Sequence, residues 1–185
     1  MTYSTPAGQR GAAADAYVAS LLALLGDRDP FEVLGSTPAV AARALAFAAP
    51  PALTRPEAPG KWSVAGVLQH LADSEGINGQ RIRLMLVEDT PPIAAYDQDA
   101  WGRVFGYDRA DPGLALRDFT ALRAANLRLW ASLDEAALAR GGMHAERGLE
   151  TAGKLIRLLA GHDLVHLKQI GRILGATAGK TSTTP

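Results

Sequence analysis

Apolar residues recur along most of this chain at intervals of three and four positions, which places them on one face of an α-helix. The alternation of apolar and polar residues that indicates half-buried strands is scarce. The pattern predicts long helices at 15–25, 63–88, 112–133 and 151–175, and shorter ones at 38–48 and 134–140. Four long helices joined by loops predict an all-α fold, and we expect an antiparallel four-helix bundle with its functional site near one end of the core.

Residues that favour helix ends support these boundaries. Ser63 is a suitable N-cap for the second long helix, and the sequence TPP at 90–92 ends it. Pro112 stands where the third long helix would begin, and Gly175 stands where the last would end. The sequence GGMHAERG at 141–148 has the composition of a turn-rich region, and we interpret it as a connector.

The length of 185 residues suits one domain with a sizeable core, which we place at residues 11–175. The segments 1–10 and 176–185 are expected to be disordered. The N-terminal sequence lacks a basic segment followed by an apolar run, and the apolar stretch around Arg43 is too short to span a bilayer. We therefore expect a cytoplasmic protein with no membrane partner.

Charge and cysteine content narrow the function classes. The 19 basic and 19 acidic residues balance, so no cationic excess is available to neutralise phosphates, and we expect no nucleic-acid partner. The absence of cysteine excludes disulfides, thiolate metal ligands and a cysteine nucleophile. Any thiol chemistry must then use a thiol supplied from outside the chain.

Two of the four histidines, His162 and His166, stand one helical turn apart in the last predicted helix. Side chains four positions apart point in nearly the same direction, with Cβ atoms about 6 Å apart, so both imidazoles can bind one metal ion. Together with Gln169 they occupy consecutive core-facing positions, where a polar group without a partner costs about 1–3 kcal/mol. We favour a metal site; hydrogen bonds within the core or a water-filled cavity are the alternative.

The motif HDLVH is close to the HExxH motif of zinc proteases, but two features of the chain oppose that function. Asp163 is one methylene shorter than the glutamate base of those enzymes, and residues 167–185 contain no His, Asp or Glu that could serve as third ligand. The third ligand must therefore come from upstream. His70 is our first choice because it lies in an apolar stripe of the second long helix, and His144 or an acidic residue is the alternative.

Other residues near these histidines are candidates for supporting roles. Asp73 follows His70 by one turn and could accept a hydrogen bond from a histidine ring nitrogen. Gln169 could hydrogen-bond near the metal or simply pack. Trp62 is expected to be a packing residue.

The predicted loop 91–108 is long enough to indicate a functional role. Its residues Tyr96, Asp97, Asp99 and Trp101 combine aromatic surface with carboxylates that could bind an amine or guide a proton, so they are candidate substrate contacts. The alternative is that the aromatic pair holds the loop against the bundle and that one of the aspartates caps a helix.

The stretches KWSVAGVLQHLADSE and GHDLVHLKQIGRIL, with YDQDAW and GMHAERGLETAGKLI between them, resemble the DinB/YfiT family of helical metalloenzymes. The resemblance covers roughly residues 15–175. It implies a bundle in which one histidine of the second helix and two of the last bind a divalent metal, and the matching positions are His70, His162 and His166. Three imidazoles leave positions open for water or substrate, and zinc, nickel, iron and manganese all suit them.

The family includes S-transferases that use bacillithiol or mycothiol, a maleylpyruvate isomerase, and proteins without known activity. The resemblance therefore implies a metal-dependent thiol S-transferase that acts on a small molecule with an external low-molecular-weight thiol. A metal-dependent hydrolase is the alternative reaction. A stress-related metal-binding protein is the alternative without catalysis.

Apolar residues at outer positions of the third long helix bear on oligomeric state. These residues are Leu114, Leu122 and Leu129. Bundles of this size with apolar outer positions can associate through them, so we expect a homodimer.

Overall fold

Residues 11–178 are described by the computed structural model, and helices account for most of them. Within this range the helices are α1 (Ala12–Leu25), α2 (Pro30–Phe47), α3 (Pro50–Thr54), α4 (Val64–Val87), α5 (Gln98–Val104), α6 (Pro112–Trp130), α7 (Glu135–Ala139) and α8 (Ala152–Ala178). The strands are β1 (Pro92–Ile93), β2 (Gly141–His144) and β3 (Gly148–Thr151), and a 3-10 helix covers Tyr107–Arg109. The terminal segments for which we expect disorder lie outside the described residues, apart from 176–178, with which α8 ends.

Helices α2, α4, α6 and α8 form the four-helix bundle that the sequence predicts. Both α2 and α4 contact α6 and α8, while α1 packs against α8. The long helices predicted at 63–88, 112–133 and 151–175 correspond to α4, α6 and α8. The fourth member differs from expectation, because α2 begins at Pro30 rather than near Pro38 and is longer than α1.

The early start of α2 and its internal proline both have local causes. Asp29 caps the helix by accepting a backbone N–H hydrogen bond at 2.8 Å, and Pro30 fits the first turn, where no N–H donor is required. Pro38 removes the N–H that would bond to the carbonyl of Leu34, four positions earlier. That carbonyl accepts a hydrogen bond from Nη1 of Arg123 instead, at 2.8 Å, which offsets the bond that the proline removes.

The region that we interpreted as a connector forms a β-hairpin that belongs to a three-stranded sheet, so that prediction was wrong. Strands β2 and β3 form an antiparallel hairpin in which Gly141 lies opposite Thr151 and His144 opposite Gly148. Strand β1 adds in parallel to β2, with Ile93 beside His144. Strands of two and four residues are too short to display a clear alternation of apolar and polar residues. Because β2 contacts α4, the hairpin lies against the bundle.

The core consists of two apolar clusters with a polar layer between them. The first cluster includes Leu34, Ile82, Met85, Trp130, Ile156 and Ala160, and the second includes Ala41, Leu68, Ala72, Phe119, Ile170 and Ile173. In every bundle helix, buried polar residues lie in sequence between the two clusters: Thr37, Glu75, Asn78, Arg123, Asn126, Asp163 and His166. The polar positions of α8 are therefore near the middle of the core, and our prediction of a site near one end was wrong.

Arg123 of α6 connects all four bundle helices within this polar layer. Its Nη1 donates to Oδ2 of Asp163 in α8 at 2.6 Å and to the carbonyl of Leu34 in α2 at 2.8 Å. Its Nη2 donates to Oδ1 of Asp163 at 3.1 Å, and its Nε donates to Oε2 of Glu75 in α4 at 2.9 Å. Asn126 Nδ2 completes the surroundings of Glu75 by donating to Oε1 at 2.9 Å.

The charges of this network are buried and stabilise one another. The side chains of Arg123, Asp163 and Glu75 are each at most 2% exposed. Burial by itself disfavours the charged guanidinium, but the carboxylates of Asp163 and Glu75 outweigh this effect and raise the pKa of Arg123 above its usual value. Arg123 is therefore the cation that stabilises the two buried carboxylates.

Two observations bear on membrane and protein partners. Within residues 11–178, no helix combines the length and apolar character that crossing a bilayer requires. Leu114 and Leu122 are exposed as predicted, whereas Leu129 packs against the first apolar cluster. The homodimer stays a prediction.

Replacing Arg123 with methionine should lower the free energy of unfolding by about 3–5 kcal/mol, because two buried carboxylates lose their cation. Urea denaturation followed by circular dichroism measures this loss. Arg128→Met removes an exposed arginine from the same helix and is the matched control, with an expected change below about 0.5 kcal/mol. Equal effects of the two substitutions would contradict a structural role for the network.

Gly161 and Gly171 of α8 provide a second test, of how closely α1 packs against α8. A Cβ atom at Gly161 would overlap the backbone carbonyl oxygen of Leu21 in α1, whereas a Cβ atom at Gly171 would enter open space. Gly161→Ala should therefore destabilise the fold by about 1–3 kcal/mol, and Gly171→Ala should stabilise it by about 0.5–1 kcal/mol. Thermal unfolding of both variants measures whether each is more or less stable than the native protein. Stabilisation by Gly161→Ala would contradict the close packing of α1 against α8.

Candidate metal centre

Three histidines from two helices bring their ring nitrogens together beside the polar layer. His70 lies on α4, His162 and His166 lie on α8, and these two helices pack against each other. Nε2 of His162 is 3.1 Å from Nε2 of His70 and 3.0 Å from Nε2 of His166. One nitrogen from each of the three rings lies within 4.8 Å of the other two. The structure thus brings together the three residues that the sequence predicts as ligands.

The separations between the Nε2 atoms fit a shared cation better than hydrogen bonds between the rings. A neutral imidazole nitrogen either donates one hydrogen or accepts one, so Nε2 of His162 cannot make a well-formed hydrogen bond to both neighbours. Two nitrogens bound to one metal at about 2.1 Å lie about 3.0–3.4 Å from each other. The separations of 3.0 and 3.1 Å between His162 and its two neighbours agree with this value, so each of these pairs can share a divalent ion.

Burial keeps the three imidazoles in the neutral form that binds metal. Desolvation lowers the pKa of His70 and of His162 well below the usual value, and the adjacent His166 lowers both further. Desolvation also lowers the pKa of His166, against the opposing influences of Gln169 and Asp163. Because these pKa values are low, the lone pairs are free of protons at neutral pH.

A side-chain amide orients one of the three rings. Nδ1 of His166 donates to Oε1 of Gln169 at 2.8 Å, which leaves Nε2 as the atom that faces the other histidines. Gln169 therefore hydrogen-bonds to a histidine of the cluster and does not simply pack. Among the described residues, Nδ1 of His70 and Nδ1 of His162 have no hydrogen-bond partner.

Asp73 supports an aromatic side chain and not a histidine, so the expected bond to a histidine ring is absent from the part of the chain described. Its carboxylate accepts hydrogen bonds from the Tyr107 hydroxyl at 2.6 Å and from Gln69 Nε2 at 3.1 Å. Trp62 packs as predicted, with its ring centroid 5.4 Å from that of Tyr107 and 4.8 Å from that of His70. The predicted packing residue is thus in direct contact with a candidate ligand ring.

A cavity of about 110 Å³ opens beside His162. It is lined by side chains from α1, α4, α8, the hairpin and the segment before α5, among them Tyr17, Leu21, Arg81, Tyr96, His144 and Arg147. Of the three clustered histidines, His162 is the one that lines this cavity. A small molecule in the cavity would therefore meet the histidine cluster from the side of His162.

His144, the alternative third ligand, lines the cavity without joining the cluster. Its Nδ1 accepts a hydrogen bond from the backbone N–H of Glu146 at 3.1 Å. Desolvation, with a further contribution from Arg147, lowers its pKa to about 4, so the ring is neutral and carries its hydrogen on Nε2. This histidine is placed to donate a hydrogen bond and not to complete the ligand set.

The four candidate substrate contacts of the loop have different surroundings. Tyr96 lines the cavity. Asp97 caps α5 by accepting from the backbone N–H groups of Asp99 and Ala100 at 2.9 Å each, and Asp99 is exposed in the first turn of that helix. Trp101 contacts Tyr96 with 4.9 Å between ring centroids. The structure thus brings Tyr96 to the cavity, places Asp97 as the cap of α5, and packs Trp101 against Tyr96.

The sequence-based reasoning missed the buried ion network, although a signal for it exists. In α6, Phe119, Arg123, Asn126 and Trp130 follow one another at spacings of four, three and four, so the arginine occupies an apolar seam. A charged residue in such a seam predicts a buried partner. No comparable signal marks Arg81 and Arg147, because they meet at the cavity from separate parts of the chain.

The sequence of this chain is similar to that of one protein family and to those of proteins from two Bacillus species. The profile of the DinB superfamily matches residues 34–170. The chain is 30% identical over 148 residues to "Putative metal-dependent hydrolase YfiT" of Bacillus subtilis, covering 78% of this chain and 83% of that protein. It is 32% identical over 130 residues to a similarly named protein of Bacillus licheniformis, covering 66% and 72% of the two chains.

Comparison of structures leads to the same group. The solved structure of YfiT from Bacillus subtilis is described as a "probable metal-dependent hydrolase with an unusual four-helix bundle topology". It superposes on this chain with a TM-score of 0.69 and 25% sequence identity, covering 93% of this chain and 94% of YfiT. The fold, the family profile and the sequence relatives therefore agree, and this chain belongs to the DinB superfamily.

Proposed function

We propose that this chain is a metal-dependent enzyme that acts on a small molecule, most simply by hydrolysis. His70, His162 and His166 would hold one divalent ion, and the convergence of their Nε2 atoms is the observation that carries the proposal. The names of the relatives as metal-dependent hydrolases support the choice of reaction. Zinc, nickel, iron and manganese all suit three imidazole ligands.

The residues around the three histidines have distinct roles in such a site. Gln169 holds the ring of His166 with Nε2 toward the centre, and Trp62 packs against the ring of His70. His162 stands on the cavity wall, which gives a small molecule access to the centre. A divalent ion held by the three histidines would supply Lewis acidity and would make water or a thiol nucleophilic near neutral pH.

Thiol S-transfer is the second candidate reaction, and the bonding of the nearby carboxylates favours it. Both oxygens of Asp163 accept from Arg123, and Asp73 accepts from Tyr107 and Gln69. These two carboxylates are therefore engaged elsewhere, and a thiol held by the metal would lose its proton to solvent without a separate base. Since the chain has no cysteine, the thiol would be external, of the bacillithiol or mycothiol type.

Replacing His166 with alanine should remove most of the bound metal and leave the helix content unchanged, because packing of the bundle and not the ion supplies the stability. His70→Ala should behave in the same way. His144→Ala is the matched control, a buried histidine of the adjoining cavity, and should retain the metal. Elemental analysis of protein purified without a polyhistidine tag, with circular dichroism, provides both readouts. Retention of metal by the His70 and His166 variants would contradict the site.

The two candidate reactions differ in their dependence on added thiol. A hydrolase should release 4-nitrophenol from 4-nitrophenyl acetate in the absence of thiol, whereas an S-transferase should join a low-molecular-weight thiol to a chlorinated nitrobenzene. We expect either rate to fall to the uncatalysed value when a chelator is added or when His166 is replaced by alanine. Absorbance measurements of metal-loaded protein separate the two, and metal binding with neither activity would indicate a non-catalytic protein.

A further inference from the structure

The cavity beside His162 has walls of unlike chemistry. One wall is apolar and is formed by Val18 and Leu21 of α1 together with Leu155, Leu158 and Leu159 of α8. Polar side chains of α4, of the segment before α5 and of the hairpin supply another part of the lining, among them Asn78, Arg81, Tyr96, His144 and Arg147. Such a cavity suits a molecule with an apolar body and a polar group at one end.

The two arginines of the polar lining differ in how their charges are compensated. Arg147 forms a two-point ion pair with Glu150, in which Nε and Nη2 each donate to a separate carboxylate oxygen at 2.7 Å. Arg81 donates to the amide oxygen of Asn78 at 3.1 Å and to the backbone carbonyl of Ala94. Both of these acceptors are neutral. Among the described residues, therefore, no carboxylate pairs directly with Arg81.

Because Arg81 is buried, its positive charge is unfavourable without a directly paired carboxylate. The residue is 8% exposed, and desolvation lowers the pKa of its guanidinium, although the more distant carboxylates of Glu150 and Glu146 act in the opposite direction. A buried cation is stabilised chiefly by an anion that makes hydrogen bonds to it. Arg81 thus gains from any carboxylate that enters the cavity.

The neighbours of Arg81 can donate further hydrogen bonds to the same anion. Desolvation raises the pKa of the Tyr96 hydroxyl and raises that of Tyr17 to about 12, so both phenols keep their hydrogens at neutral pH. The neutral ring of His144 carries its hydrogen on Nε2. These groups line the same cavity as Arg81 and supply it with further hydrogen-bond donors.

We propose that the cavity binds a small amphipathic carboxylate, with Arg81 as the counter-ion of its carboxylate group and the leucine wall in contact with its hydrocarbon body. The uncompensated charge is a single one, and Glu146 also lines the cavity, so a monoanion fits better than a dianionic phosphate. The inference rests on the proposed function in one respect, namely that the cavity next to His162 is the substrate site.

Benzoate and benzamide test this inference, because they share a shape and differ in charge. Isothermal titration calorimetry should show that the native protein binds benzoate about tenfold more tightly than benzamide, the difference expected for hydrogen bonds to a charged group. Arg81→Gln should abolish the preference. Arg128→Gln, which removes an exposed arginine from α6, should leave it unchanged. Arg81→Lys keeps a cation in place and should retain part of the preference.

Each titration is made on metal-loaded protein and on protein stripped with a chelator, which separates this inference from the proposed function. A preference for benzoate in both forms supports the inference even if no catalysis is found. A preference confined to the loaded form shows that the anion binds the metal and overturns the inference, while leaving the metal site intact. Equal affinities in the native protein, a preference that survives Arg81→Gln, or tighter binding of phenyl phosphate than of benzoate would also overturn it.

Discussion

The buried guanidinium of Arg123 is the charge on which the middle of the bundle depends. It makes hydrogen bonds to a carboxylate of α8, a carboxylate of α4 and a backbone carbonyl of α2, so four helices share one set of donors. Apolar packing alone tolerates small rotations of a helix about its axis, since one leucine can replace another in the seam. If α8 rotated about its axis, Asp163 would be charged, buried and unpaired. Apolar contacts would not offset the resulting loss of stability. The network thus selects one arrangement of the helices.

The same constraint orients the histidines. Asp163 follows His162 directly, and successive helical residues point about 100° apart, so an aspartate held toward Arg123 directs His162 toward α4. His166 lies one turn further on the same face, where Nε2 meets the other two rings. The middle of the bundle therefore contains two polar groups side by side. The Arg123 network is charged and closed by its own hydrogen bonds, and the histidine cluster is neutral, with its three Nε2 atoms close together.

The helical pattern was enough to predict the bundle, and the histidine spacing was enough to place His162 and His166 together, because both follow from local periodicity. His70 was our first choice for the third residue, and the family resemblance also implied it. His162 and His166 share a face whatever the tertiary structure, and the lack of ligands downstream directed attention to His70. Features that depend on contacts between distant segments were not predictable in this way. The start of α2 at Pro30 is stabilised by its own cap, but the passage through Pro38 relies on an arginine from another helix. The short strands have too few residues to show a pattern.

The walls of the cavity have consequences for how proteins with this bundle diversify. Much of the lining comes from α1, from the hairpin and from the segment before α5, none of which contributes a member to the histidine cluster or to the Arg123 network. Substitutions, insertions or changes of loop length in these peripheral elements can alter which molecules the cavity binds. They need not change the three histidines or the Arg123 network. Changes in molecular recognition and changes in the histidine cluster can therefore occur separately. In such an architecture one centre is compatible with many substrates, and the sequence around the histidines is a poor guide to which substrate is used.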